Sequence, residues 1–246
     1  MTLPRILVVR SGADPFAAVD PARIELVERA SHTVQSLEVD GRGIPGRADL
    51  AVFSSRVAVE RAMCDPGSTL ARCVAAADQV FAVGQSTEAA LRARGIARTT
   101  AGGGSAEALL EVLPEKLEGR TVLFPCGADS LAELPERLRA RGARVVPIVL
   151  YRKIANPADA TLTREILEKP FAAFCATAPS AAQWLFEGLG SAAEERLRAT
   201  PAVVLGMTTL RWLDARGVAH IEVAPEASFP AAARRLEALA TGSPGQ

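Results

Sequence analysis

Tyr151 is the only tyrosine in the chain, and it closes the apolar run Val145-Val146-Pro147-Ile148-Val149-Leu150. A phenol at the end of a buried strand can give a hydrogen bond or a proton to a ligand. The plainer alternative is an anchor, ring inward and hydroxyl wet. A second group of candidates recurs along the chain as short turns that combine Gly with Ser or Thr. They hold Arg10 and Ser11; Ser54, Ser55 and Arg56; Gly84, Ser86 and Thr87; Gly104 and Ser105; Gly127; Thr177 and Ser180; and Thr208 and Thr209. Such turns present hydroxyls and backbone N–H groups, and a helix that follows adds its own N-terminal N–H groups, which suits carboxylates and other anions. The same residue types also act as ordinary helix caps, so their repetition weighs more than any single member.

Other chemistries find little support. Cys64, Cys73, Cys126 and Cys175 form no CxxC pair, and only His32 and His220 are available to complete a metal site. Each cysteine stands among apolar or small residues, so all are read as buried free thiols. Gly102-Gly103-Gly104-Ser105 lacks the Lys-Ser/Thr ending of a phosphate loop, and no GxGxxG, GxSxG or HExxH pattern is present. Neither histidine is expected in a strand-end loop. The expected site has no metal and no cofactor.

The elements that must position these residues follow from composition and pattern. Of the 246 residues 49% are hydrophobic, which is ample for one large or two smaller cores. Basic and acidic side chains number 28 each, so no net field draws nucleic acid or an anionic membrane. No apolar run approaches the ~20 residues that span a bilayer, and the N-terminus lacks the layout of a secretory signal. A protein of the cytoplasm is expected, with a small-molecule substrate and no nucleic-acid or membrane partner. Short apolar runs at 6–10, 50–54, 79–83, 121–125, 145–151, 171–176, 202–205 and 220–224 read as strands buried on both faces. Helical patterns follow most of them. One over 87–94 stops at Gly95; another opens at the capping box Ser130-Leu131-Ala132-Glu133 and runs to Gly142. Alternation of this kind predicts an α/β protein with parallel sheets.

A repeat sharpens that expectation. Val83-Gly84-Gln85-Ser86-Thr87, then Ala93-Arg94-Gly95, recurs as Leu205-Gly206-Met207-Thr208-Thr209, then Ala215-Arg216-Gly217, at a constant offset of 122 residues (206 − 84 and 217 − 95). Ser11-Gly12-Ala13-Asp14 is echoed by Cys126-Gly127-Ala128-Asp129, and the stretch from Phe53 to Arg56 by that from Phe174 to Ser180. Two similar α/β units are expected, with a cleft between them rimmed by the loops at their carboxyl strand ends.

At these residues the chain resembles the uroporphyrinogen-III synthase family. The resemblance is carried by Val52-Phe53-Ser54-Ser55-Arg56-Val57, Ala82-Val83-Gly84-Gln85-Ser86-Thr87 and Thr121-Val122-Leu123-Phe124-Pro125. It continues through Tyr151-Arg152, Ala178-Pro179-Ser180-Ala181 and Leu205-Gly206-Met207-Thr208-Thr209. These pieces span nearly the whole chain in the family's order. The resemblance implies two flavodoxin-like parallel-sheet domains joined by a two-stranded linker: 1–36 with 154–246, and 40–150.

It also implies a cofactor-free reaction. Linear hydroxymethylbilane loses its hydroxyl to give an azafulvene cation, which attacks the terminal ring. The resulting spiro intermediate recloses with ring D inverted, giving uroporphyrinogen III. Tyr151 matches the tyrosine proposed to assist hydroxyl departure. Thr87 and Thr209 match the threonines of the two Gly-x-x-Thr turns, and Ser54 with Ser55 matches a strand-end Ser/Thr pair. Arg10-Ser11-Gly12 stands where the family usually has Thr-Arg-Pro, and Ala178 where many members carry Ser. The implied partner is the small-molecule bilane, with a transient contact to hydroxymethylbilane synthase, and the expected state is a monomer. The alternatives are a two-lobed binding protein without catalytic activity, and a nucleotide-dependent enzyme on a Rossmann-like fold. The missing glycine fingerprint disfavours the second.

Overall fold

A computed structural model describes residues 3–11, 16, 19–130 and 133–242. The chain divides into unit 1, Met1–Thr33 with Ile154–Gln246, and unit 2, Val34–Lys153. The strands of unit 1 are β1 (Arg5–Arg10), β2 (Glu25–Ala30), β9 (Ala173–Ala176), β10 (Ala202–Val204) and β11 (Ile221–Val223). They form one parallel sheet in the order β11-β10-β9-β1-β2. Unit 2 is built on β4 (Leu50–Phe53), β5 (Gln79–Ala82), β6 (Thr99–Ala101), β7 (Thr121–Gly127) and β8 (Arg144–Ala155). These are also parallel, in the order β8-β7-β4-β5-β6, with β3 (His32–Ser36) added beyond β8.

Matching the two orders position by position pairs β11 with β6, β10 with β5, β9 with β4, β1 with β7 and β2 with β8. The two sheets are thus the same arrangement entered by the chain at different strands. That is why the 122-residue offset links 79–101 to 202–223, while the echo of Ser11 lies at Gly127.

Each sheet is covered on both faces, and the strands separate their side chains by the period of two expected of a pleated strand. In β1, Leu7 and Val9 join one core cluster while Ile6 and Val8 join another. In β4, Ala51 and Phe53 face one cluster and Leu50 and Val52 the other. Continuous apolar runs are what such double burial requires.

Three strands escape the search for such runs. β2 reads Glu-Leu-Val-Glu-Arg-Ala and lies at a sheet edge, where Arg5 meets Glu25 at 2.7 Å and Arg29 meets Asp159 at 2.6 Å. An edge strand has one side to solvate, so charge replaces apolar residues there. β6 has only three residues, and β3 belongs to the link between the units. That link is antiparallel: Asn156 N donates to Ser31 O at 2.9 Å, and Leu37 N to Leu150 O at 2.9 Å. At its unit 1 end Asn156 makes three more bonds. Its Nδ2 donates to Ala30 O at 2.6 Å, its Oδ1 accepts from Thr33 Oγ1 at 2.5 Å, and its carbonyl accepts from Trp184 Nε1 at 2.8 Å.

Helices α1 (Arg56–Ala62), α3 (Gln85–Arg92), α4 (Ala106–Val112), α7 (Pro179–Glu187), α9 (Met207–Ala215) and α10 (Phe229–Thr241) follow strands. After α3, Gly95 at φ +82° ends the helix in the left-handed conformation that glycine adopts most easily. Ser130 ends a 3₁₀ turn, Ala128–Ser130, before the helix Glu133–Ala140. The middle of the expected capping box, Leu131 and Ala132, lies outside the described residues, as do Gly12, Ala13 and Asp14 of the first strand-end loop.

Candidate functional site

In unit 2 the central feature is a pair of hydroxyls. β4 ends at Phe53, and Ser55 becomes the N-cap of α1, its Oγ accepting from Ala58 N at 3.1 Å. The same Oγ lies 2.9 Å from the Tyr151 hydroxyl. Tyr151 reaches it because the β7–β8 register slips by one residue: Cys126 pairs with Val149, but Gly127 with Tyr151. A bulge of this kind re-aims a side chain, and here it swings the ring across Gly127. Tyr151 is 4% exposed, within the cluster that holds Phe53, Leu123 and Leu150. Burial pushes its phenol up from the usual value; the Ser55 hydrogen bond pulls part of that back, while Cys126 and Asp129 add to the rise. The hydroxyl is therefore held protonated at neutral pH.

Beside this pair, Ser54 Oγ is shut from solvent and has no hydrogen-bond partner among the described residues. Ser54 lines a pocket of about 400 Å³ with Val83, Gly104, Ser105, Asp129 and Ser130. Ser105 caps α4 through Ala108 N at 3.2 Å, and Gly104 N donates to Val83 O at 2.8 Å. Arg56 pairs with Glu60 at 3.3 Å on its own helix. Gly84 begins α3 with no side-chain cap; Ser86 is exposed in the first turn, and Thr87 is buried at 4% exposure.

Unit 1 repeats the outline with different chemistry. Gly206 begins α9 without a side-chain cap, Thr208 is exposed and Thr209 is buried. At the position of Ser55, Ala178 begins α7 with no cap, followed by Pro179 and Ser180. Thr177 Oγ1 accepts from Ser11 N at 3.2 Å, tying the ends of β9 and β1 together. Arg10 meets Glu28 at 2.6 Å.

One sequence expectation, that all four cysteines are buried, needs correction. The histidines lie outside the strand-end loops: His32 is the half-buried first residue of β3, and His220 is exposed. Buried Ser31 gives its one hydroxyl proton to Arg10 O at 2.9 Å, so at 2.8 Å from Ser31 Oγ it is His32 Nδ1 that donates. Cys64, just past α1, is exposed, whereas Cys73, Cys126 and Cys175 are buried. Burial pushes the thiols of Cys126 and Cys175 up to about 11 and about 12.

The structure brings Ser55, Gly127 and Tyr151 together, and Ser54 with Gly104 and Ser105. It turns Thr87 and Thr209 into their units and leaves Ser86 and Thr208 exposed. Asp129 and Asn156 were missed. Asp129 belongs to the Gly127 echo of Ser11-Gly12-Ala13-Asp14, so its place at a strand end is legible in the repeat; the Asn156 bonds join segments far apart in sequence.

A family model described as uroporphyrinogen-III synthase HemD matches residues 18–234. Among solved structures, a mutant uroporphyrinogen III synthase of the extremely thermophilic bacterium Thermus thermophilus is 21% identical, with 98% of this chain and 100% of that one covered and a TM-score of 0.70. The uroporphyrinogen-III synthetase of Helicobacter pylori is 17% identical, with 93% and 96% covered and a TM-score of 0.61. At these identities the structural likeness speaks for the fold. No curated protein sequence matches.

Proposed function

Since the chain belongs to the uroporphyrinogen-III synthase family, we propose that the Tyr151–Ser55 pair of unit 2 aids departure of the substrate hydroxyl and that the strand-end turns hold the substrate's carboxylates. The reaction is the family's: linear hydroxymethylbilane is cyclised, with ring D inverted, to uroporphyrinogen III in tetrapyrrole biosynthesis. Because the bilane also closes unaided, to isomer I, catalysis consists largely of geometry. The inverting path must be reached faster than the simple one, and binding energy spent on orientation does that.

One observation supports the carboxylate assignment above the others. α3 and α9 occupy equivalent places in the two sheets, and both start at a glycine, Gly84 and Gly206, with no side-chain cap. Their first N–H groups are left to other partners, and an acetate or propionate carboxylate suits them in charge and geometry. Ser86 and Thr208 add exposed hydroxyls on the same first turns. Ser11, Ser54, Ser105, Thr177 and Ser180 extend the polar rim, and Thr87 and Thr209 support it from within. In this reading Gly127 makes room for Tyr151 and does not bind the bilane. Arg10 and Arg56 bind carboxylates only by sharing their guanidinium groups with Glu28 and Glu60.

The chain works in this reading as a cytoplasmic monomer that takes its unstable substrate from hydroxymethylbilane synthase by transient contact. No helix among the described residues is long and apolar enough to cross a membrane.

An isomer assay tests the proposal. Hydroxymethylbilane is generated in situ from porphobilinogen, the protein is added without metal or nucleotide, and the oxidised uroporphyrins are separated. Isomer III in excess is expected. Isomer I alone, from folded protein, refutes the activity.

A further inference from the structure

We infer that Ser55 is the group that hands the proton to the departing hydroxyl, with Tyr151 one hydrogen bond behind it. The inference rests on the reaction proposed above and concerns the order of two groups within it.

Proton counting carries it. Tyr151 has one hydroxyl proton, is 4% exposed, and makes its one hydroxyl hydrogen bond among the described residues to Ser55 Oγ at 2.9 Å. If Ser55 were the donor in that bond, the phenolic proton would be buried without an acceptor, a cost of about 1–3 kcal/mol. Tyr151 therefore donates and Ser55 accepts. Ser55 Oγ also accepts from Ala58 N at 3.1 Å. A hydroxyl oxygen has two acceptor sites, and both are now filled. The Ser55 proton has no acceptor among the described residues, and Ser55, unlike Tyr151, is partly exposed. It is a donor committed outward, from an oxygen that two other donors polarise in the same sense.

The duplicated fold supplies an internal contrast. The residue that begins the equivalent helix of unit 1 is Ala178, with no side-chain cap. Among the described residues the donor arrangement therefore exists once, in unit 2.

As the C–O bond of the substrate hydroxymethyl group breaks, its electron pair leaves with the oxygen, which takes the Ser55 proton and departs as water. The pyrrole nitrogen lone pair compensates the carbon, giving the azafulvene cation. Tyr151 passes its proton to Ser55 Oγ and holds the negative charge transiently. The proton shed when the closed macrocycle regains its aromatic rings returns by the same route, so no proton is consumed overall.

The test is the initial rate of isomer III formation by Ser55→Ala, Tyr151→Phe and the double variant, in H₂O and D₂O. Ser55→Thr keeps the hydroxyl and the cap. Ser68→Ala removes the matching cap of another helix, α2 (Thr69–Ala76), where Ser68 Oγ accepts from Ala71 N at 3.1 Å. Losses of about a hundredfold for Ser55→Ala and about tenfold for Tyr151→Phe are expected, on the usual scale of proton donors. The double variant should be no slower than Ser55→Ala, and the solvent isotope effect of the wild type should shrink in Ser55→Ala. Ser68→Ala should keep the wild-type rate, and Ser55→Thr, which retains a hydroxyl, should recover most of what Ser55→Ala loses. A Tyr151→Phe loss as large as that of Ser55→Ala overturns the order and makes Tyr151 the direct donor. A slow Ser68→Ala assigns the Ser55 effect to capping and overturns it too. Full rates in both single variants remove the pair from the reaction altogether.

Discussion

Gly127 lies under the Tyr151 ring: a Cβ at Gly127 would stand 2.7 Å from both Cε2 and Cζ of the tyrosine and 3.0 Å from its hydroxyl oxygen. No rotation of a methyl group relieves such a contact, so either the ring or the β7 backbone has to move. Gly127→Ala is expected to displace the phenol from Ser55 and to cost about 1–3 kcal/mol of stability, as overpacking does. Isomer III rate and melting temperature should fall together, and adding Tyr151→Phe, which keeps both ring carbons of the 2.7 Å contacts, should not restore the stability of Gly127→Ala. An unchanged melting temperature in Gly127→Ala would mean that the ring is not seated there.

Gly206→Ser separates binding from folding. A Cβ at Gly206 meets nothing within 4 Å, so the serine fits, and its Oγ can cap α9. The helix should gain a few tenths of a kcal/mol. The same Oγ then competes with a substrate carboxylate for the α9 N–H groups. A higher melting temperature with a raised KM is expected; a KM left at the wild-type value would show that this helix start holds no carboxylate.

Asp159 gives unit 1 an acid-sensitive joint. It begins the helix Ala160–Glu168 and meets Arg29 at 2.6 Å. The Thr161 hydroxyl and the Arg29 guanidinium together outweigh burial and hold its carboxyl below the usual value. A depressed folded-state pKa contributes stability that is complete above the unfolded value, about 4, and is lost as the pH falls through the folded one. Urea midpoints should therefore drop on acidification below about pH 4, and drop less in Asp159→Asn. Equal acid sensitivity of the two proteins would assign the effect to other carboxylates.

The thiols should divide sharply. Cys64 is exposed, while Cys73, Cys126 and Cys175 are buried, the last with its thiol pushed up to about 12. A maleimide at neutral pH should modify one thiol per native chain and all four after unfolding. Cys64→Ser should abolish the native reaction; labelling of a second native thiol would show that one of the cores opens.

Much of the architecture was legible because strands buried on both faces must be apolar throughout. The runs holding Ile6–Arg10, Leu50–Phe53 and Ala202–Val204 could not serve another purpose, and a glycine at residue 95 marked a helix end. The edge strands were not legible. β2 places Glu25, Glu28 and Arg29 among its six residues, since their partners are charges on other elements and not a core. Cys64 differs for the opposite reason: Ala62 and Met63 before it are apolar, but Asp65 follows it, and it lies past the end of α1 and faces water.

By itself the sequence determined the α/β class, the doubling of the unit and the set of Gly, Ser and Thr turns at the strand ends. Those are properties of local pattern, repeated with a constant offset. Only the tertiary structure decided which of the turn residues do what. Ser55 and Tyr151 are 96 positions apart, and their meeting depends on a one-residue slip between β7 and β8 and on a glycine with no side chain beneath the ring. It also separated Thr87 and Thr209, turned inward, from Ser86 and Thr208 one position earlier. A hydroxyl becomes a donor, a cap or a core atom according to which lone pairs its neighbours fill, and the neighbours come from folding.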